Sequence, residues 1–198
     1  SERSATVKTS SGGGVMIKQT QHQANDTRLL KHFTRLYHFF SISEIGIQLE
    51  GYNEEQQGAK QLGYEIADNP ILKALGRYVW LTKGEQAEVI NATAHYENDK
   101  KKLEELQRFT APIYVNDEGL ELISWKLLKQ QLSRKKKARK AIYCFEKVAE
   151  LCGDNTDDWY VSKTPIPTSH LYSSIEGELM KLNEVLPHLA DWVNKEVA

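Results

Sequence analysis

Apolar residues recur every three or four positions along much of the chain, the spacing that lines side chains along one face of an α-helix. From Asp26 to Phe40, Leu29, Leu30, Phe33, Leu36, Tyr37 and Phe40 follow that period, and Asp26 or Thr27 offers a cap. "SISE" reads as a capping box, Ser41 with Glu44, opening a second helix that Gly46, Gly51, Gly58 and Gly63 then interrupt. Pro70 in "DNP" suits the first turn of a short helix reaching Trp80.

"TKGE", Thr82 with Glu85, reads as another capping box and predicts a helix to about Phe109. Val89, Ala92, Tyr96, Leu103 and Leu106 mark its apolar stripe, and Asp99 places a carboxylate in that seam. In "APIYVNDEGLELI", two β-prone runs flank Asn116-Asp-Glu-Gly119. That stretch fits a small β-hairpin near residues 113–123, or equally a plain loop between helices. From Ser124 to Leu151 the helical period returns through Leu128, Leu132, Ala138, Ile142, Phe145 and Ala149. Lys135 falls in that stripe, so the middle of this helix should leave the core, and Gly153 should end it. "KTPIPTSH" predicts a Pro-containing linker near 162–168. Ile175, Leu179, Leu182, Leu186, Leu189 and Val193 predict a last amphipathic stretch bent at Pro187.

These elements predict a mainly α fold: a helical bundle around a central antiparallel hairpin of helices 82–109 and 124–151. The 198 residues suit one domain, taken as 16–198. "SERSATVKTSSGGG" has no core-forming residues, so 1–15 reads as a flexible or vector-derived segment ahead of Met16. A 40% apolar, 27% charged composition is ordinary for a folded protein. The chain contains no stretch of 18 apolar residues, which argues against a helical membrane span and for a soluble protein.

Charge changes the picture through its distribution. The 26 basic and 27 acidic residues almost cancel. Yet Lys126, Lys129, Arg134, Lys135, Lys136, Lys137, Arg139 and Lys140 follow one another with no Asp or Glu between Glu121 and Glu146. Removing those eight charges from the net of −1 leaves the rest of the chain at −9. Like charges four apart, Lys136 with Lys140 and Lys135 with Arg139, cost a helix stability, so an external anion is a natural counterpart.

Candidate chemistry is sparse elsewhere. The sequence holds no GxxxxGK[ST], GxGxxG, GxSxG or HExxH pattern, and no catalytic residue is assigned. The six histidines lack carboxylate or cysteine partners at metal-ligand spacing. Asp154, Thr156 and Asp158 begin like a calcium loop, but Trp159 and Pro165 stand where its glycine and glutamate belong. Neither a cofactor nor a metal is therefore expected. Cys144 and Cys152, eight apart on one helix, are separated by about 12 Å and cannot pair. Two buried thiols fit a reducing, cytoplasmic setting. Phe33, Tyr37 and Phe40 read as core, and the tryptophans as fillers between helices.

The leading functional expectation is a non-enzymatic nucleic-acid-binding or accessory protein. Lys129, Arg134, Lys135, Lys136, Lys137, Arg139 and Lys140 would contact phosphates largely without regard to sequence. The alternative is a helical interaction module, an adaptor or inhibitor, whose basic face meets an acidic protein, a second copy of this chain included. A solvated face, a calmodulin-type target and a membrane-surface helix fit the same residues.

Overall fold

The computed structural model describes residues 29–49, 75–175 and 177–187. It holds seven strands: β1 (Leu29–Arg35), β2 (Val79–Thr82), β3 (Thr110–Asn116), β4 (Leu122–Ser124), β5 (Trp159–Ser162), β6 (Leu171–Ile175) and β7 (Glu178–Lys181). They form one antiparallel sheet in the order β4-β5-β2-β1-β3-β6-β7. Its helices are α1 (Phe39–Ile45), α2 (Ala92–Tyr96), α3 (Lys100–Arg108), α4 (Trp125–Leu132) and α5 (Lys136–Cys152), with a further helical turn over 182–187. The helical bundle predicted from the sequence is therefore overturned.

The reason lies in the centre of the sheet. β1 pairs with β3 along its whole length, from Leu29 with Asn116 to Arg35 with Thr110. Both of its faces are covered: Leu30 is buried on one side and Lys31 is largely buried on the other. A strand covered on both faces loses the apolar–polar alternation that identifies half-buried strands. Leu29, Leu30 and Phe33 then mimic a helical period. Helix formation begins only after β1, and it buries Phe39 and Ile42 while leaving Tyr37 and Phe40 exposed. Ser41 does not cap that helix; it lies inside it and donates to His38 O.

Each remaining predicted helix breaks for a local reason. Thr82 ends β2, and its Oγ1 accepts from Gly84 N in a tight turn, so no capping box forms. Asn98 takes a left-handed conformation. Asp99, expected in a helical seam, instead caps a new helix by accepting from Lys102 N. The stretch near 113–123 does contain two strands, but they do not form a hairpin. β3 lies between β1 and β6, whereas β4 pairs with β5 at one edge of the sheet. The Pro-containing stretch near 162–168 places Ile166 in the core, bonded to Ile47 across a short bridge. The last amphipathic stretch supplies the β6–β7 hairpin before turning helical at Leu182. The expected features around Gly51, Gly58, Gly63 and Pro70, the 1–15 segment, Leu189, Val193 and Trp192 lie outside the described residues.

Two cores follow from the two faces of the sheet. Leu30, Val79, Leu81, Ile113, Val115 and Leu171 pack with Phe39 and Ile42 of α1, Ile47, Ile166 and Leu182. On the opposite face Trp159 and Val161, with Trp80 and Ile123 at the margin, pack against Trp125, Leu128, Ala138, Ala141 and Ala149 of α4 and α5. Three of the four tryptophans thus meet rather than scatter. Trp80 stacks on Phe145 with ring centres 5.4 Å apart, and Trp125 and Trp159 stand 5.3 and 5.9 Å from it. Large aromatic surfaces contribute most of the apolar area such a core removes from water.

Candidate nucleic-acid interface

The basic stretch does not sit mid-helix. Ser124 caps α4 by accepting from Leu127 N, and α4 ends at Leu132. The chain then turns through Ser133–Lys135 before α5 starts at Lys136. Burial explains the break. Leu132 and Ala138 must both reach the core, while Lys135 between them is exposed, and the turn satisfies all three.

This geometry concentrates charge at the start of α5. Arg134, Lys135, Lys136, Lys137, Arg139 and Lys140 are all exposed. None of them makes an ion pair or side-chain hydrogen bond among the described residues. Lys135 is the N-terminal cap residue of α5, no side chain caps the helix, and its first turn contains no acid. The free N–H groups and positive dipole end of a 17-residue helix therefore add to the cationic field instead of being neutralised.

Lys129 belongs to a different arrangement. Its Nζ stands 2.6 Å from Glu146 Oε1, which also accepts from Trp125 Nε1 at 2.5 Å. Thr156 Oγ1 donates to Glu146 Oε2 at 3.1 Å. Partial burial pushes the Glu146 carboxyl up. Hydrogen bonds from Lys129 and Trp125, the Lys129 charge and the Thr156 bond more than offset that, leaving its pKa below the usual carboxylate range. Lys129 thus ties α4 to α5, and the exposed cations at the start of α5 are the six residues of 134–140. Its neighbour on the chain, Lys126, is exposed on α4.

The far end of α5 carries the opposite charge. After Gly153, Asp154 accepts from the backbone N–H of Glu88 and of Val89. Burial raises the Asp154 pKa, opposed by those two bonds; the Glu88 charge pushes it further up and His95 pulls it down. Glu88 in turn faces His95 Nε2 at 3.2 Å and accepts from Gln107. Both oxygens of Asp154 are thus engaged by main-chain donors, and Asn155 caps the turn over Thr156–Asp158. Among the described residues no group of three or more His, Cys, Asp or Glu side chains could hold a metal ion. Burial, followed by the Asp154 and Glu88 charges, pushes the Cys152 thiol up to about 11. Among the described residues no helix is long and apolar enough to cross a membrane.

No protein-family model matches this chain, and neither a curated protein nor a solved structure matches it.

Proposed function

We propose that this protein binds the phosphate backbone of nucleic acid through the turn and first helical turns at Arg134–Lys140, largely independently of sequence. One observation carries the reading: six exposed cations without acidic partners crowd the uncapped N-terminus of α5. An intramolecular role would bring carboxylates to them, as Glu146 is brought to Lys129. Phosphates supply the missing counter-charge, and each lysine or arginine that displaces a condensed counterion adds affinity without reading a base. The stretch from Lys136 to Lys140 rises about 6 Å along the helix, matching a few successive phosphates.

The test is fluorescence anisotropy with labelled single- and double-stranded DNA and RNA between about 50 and 200 mM salt. The native chain should bind all sequences with steeply salt-dependent affinity. Changing Lys135, Lys136, Lys137 and Arg139 to Gln should flatten the log–log salt slope by about 3 to 4 on duplex DNA, since each phosphate left without its cation lowers the slope by about 0.9. Absence of binding by the native chain at about 50 mM salt, or an unchanged slope in the variant, overturns the reading.

A further inference from the structure

A second site lies where the sheet opens. β1 is paired with β3 throughout, but it meets β2 at a single position, Lys31 with Thr82. Beyond it the two strands part, and a side chain takes over from the ladder: His32 Nδ1 lies 2.9 Å from Trp80 O. A cavity of about 620 Å³ occupies the split, bounded by His32, Phe33, Thr34, Trp80, Ser41 and Ile45 among others. That volume falls within the roughly 300–1,000 Å³ typical of small-molecule sites.

The chemistry of the wall narrows the ligand. A carbonyl oxygen only accepts, so His32 Nδ1 must carry the hydrogen, which fixes the tautomer. Burial, the largest influence, lowers the His32 pKa; the Trp80 bond opposes it and His38 reinforces it. The ring is neutral at pH 7, and Nε2 presents a lone pair. Nε2 has no partner among the described residues. No described side-chain nitrogen or oxygen is both fully buried and unpartnered, so Nε2 is reachable, and His32 lines the cavity. The Lys31 ammonium is held 2.7 Å from Glu85 and offers no free charge to the site. Phe33, Trp80 and Phe145 add aromatic surface to the lining, Trp80 and Phe145 as a stacked pair.

We infer that the β1–β2 split binds an uncharged, flat aromatic molecule whose N–H or O–H group donates to His32 Nε2. Among the described residues the wall carries no carboxylate to hold a cation and its one lysine is paired with Glu85, so it grips a ring by apolar and aromatic contact while His32 Nε2, beside the hydroxyls of Thr34 and Ser41, accepts from the ligand's donor. The site is separate from the Arg134–Lys140 surface, and nucleic-acid binding should be indifferent to its occupation.

The experiment titrates the full chain with indole and with benzothiophene, which keeps the bicyclic shape but lacks the N–H. The readout is ¹⁵N–¹H spectra of the backbone and of the imidazole rings. Indole should bind about three- to tenfold more tightly, the worth of one net hydrogen bond. It should also move the His32 Nε2 resonance in the direction of an accepted bond. His32→Phe should bring the two probes to equal affinity. Ile45→Trp, at an exposed rim position, should block both while leaving the remaining backbone spectrum native. Equal affinity in the native chain, an unmoved His32 resonance, binding that survives Ile45→Trp, or no binding of either probe overturns the inference.

Discussion

Glu146 shows how a single residue can join elements that the sequence keeps apart. It accepts from Trp125, Lys129 and Thr156, which lie on α4 and in the turn before β5. Its folded pKa is depressed, so the stabilisation is complete above the unfolded value of about 4.3 and is lost as pH falls through the lower folded value. Glu146→Gln should cost about 1 kcal/mol at pH 7, toward the low end for charged hydrogen bonds because the side chain remains partly in water. That difference should shrink when pH is taken from 7 to well below the unfolded value, as the native carboxyl also protonates. Urea unfolding of both proteins at the two pH values measures it, and an equal gap at both would contradict the assignment. Lys129 was legible as a cation in the basic run; its commitment to Glu146, seventeen residues away, was not.

At the scale of elements, α5 is charged against its own dipole at both ends. Its first turn carries lysines and no acid, its last turn contains no basic residue, and Asp154 follows it. Replacing Lys136 and Lys137 by Glu should stabilise the protein by about 0.5–2 kcal/mol in total, through the dipole and through relief of like-charge repulsion. The same change should abolish phosphate-backbone binding. A thermal melt paired with anisotropy on one preparation would reveal this opposition, and a drop in both stability and binding would instead mean misfolding. The end of α1 makes the contrary case, where geometry permits a single residue. Gly46 has φ +78°, and a Cβ there would collide with the Ile166 carbonyl oxygen that Ile47 N bonds at 2.9 Å. Gly46→Ala should therefore destabilise by about 2–4 kcal/mol, by backbone strain and disruption of the Ile47–Ile166 bridge. A change below about 0.5 kcal/mol in urea unfolding would show that the bridge contributes little.

For the whole molecule, the sheet order predicts a gradient of local stability. β1 and β3 are central and share the longest ladder, while β7 is an edge strand paired only with β6. Amide hydrogens that bond across the β1–β3 ladder should exchange only through global unfolding, and those on the open side of β7 much faster. Uniform protection across the sheet would mean that β7 is covered by something else. The short link from Asn116 to Leu122 also spans four inter-strand intervals, which a flat sheet would separate by about 19 Å. Five linking residues including a turn reach that far only if the sheet curls.

Local chemistry was readable without the fold. Gly153 does end α5 in a left-handed conformation and the cation run at 134–140 is solvent-exposed, whereas the break in the stripe at Lys135 marks the turn between α4 and α5 and not a helix leaving the core. These depend on neighbours within a turn or two of chain. Tertiary pairing decided the rest. Leu29–Arg35 became a strand because residues 110–116 pair with it along its whole length, and burial of Leu30 on one face and Lys31 on the other erases the alternation that would have announced it. The strands expected to form one hairpin near 113–123 separated for the same reason: each had a longer-range partner. The β1–β2 split with His32 at its wall exists only where two strands distant in sequence meet and then diverge. By itself the sequence determined where charge gathers and where α5 stops, because both are set by contacts within a few residues. Which segments became strands, and what opens between them, was decided by backbone hydrogen bonds and burial across dozens of residues.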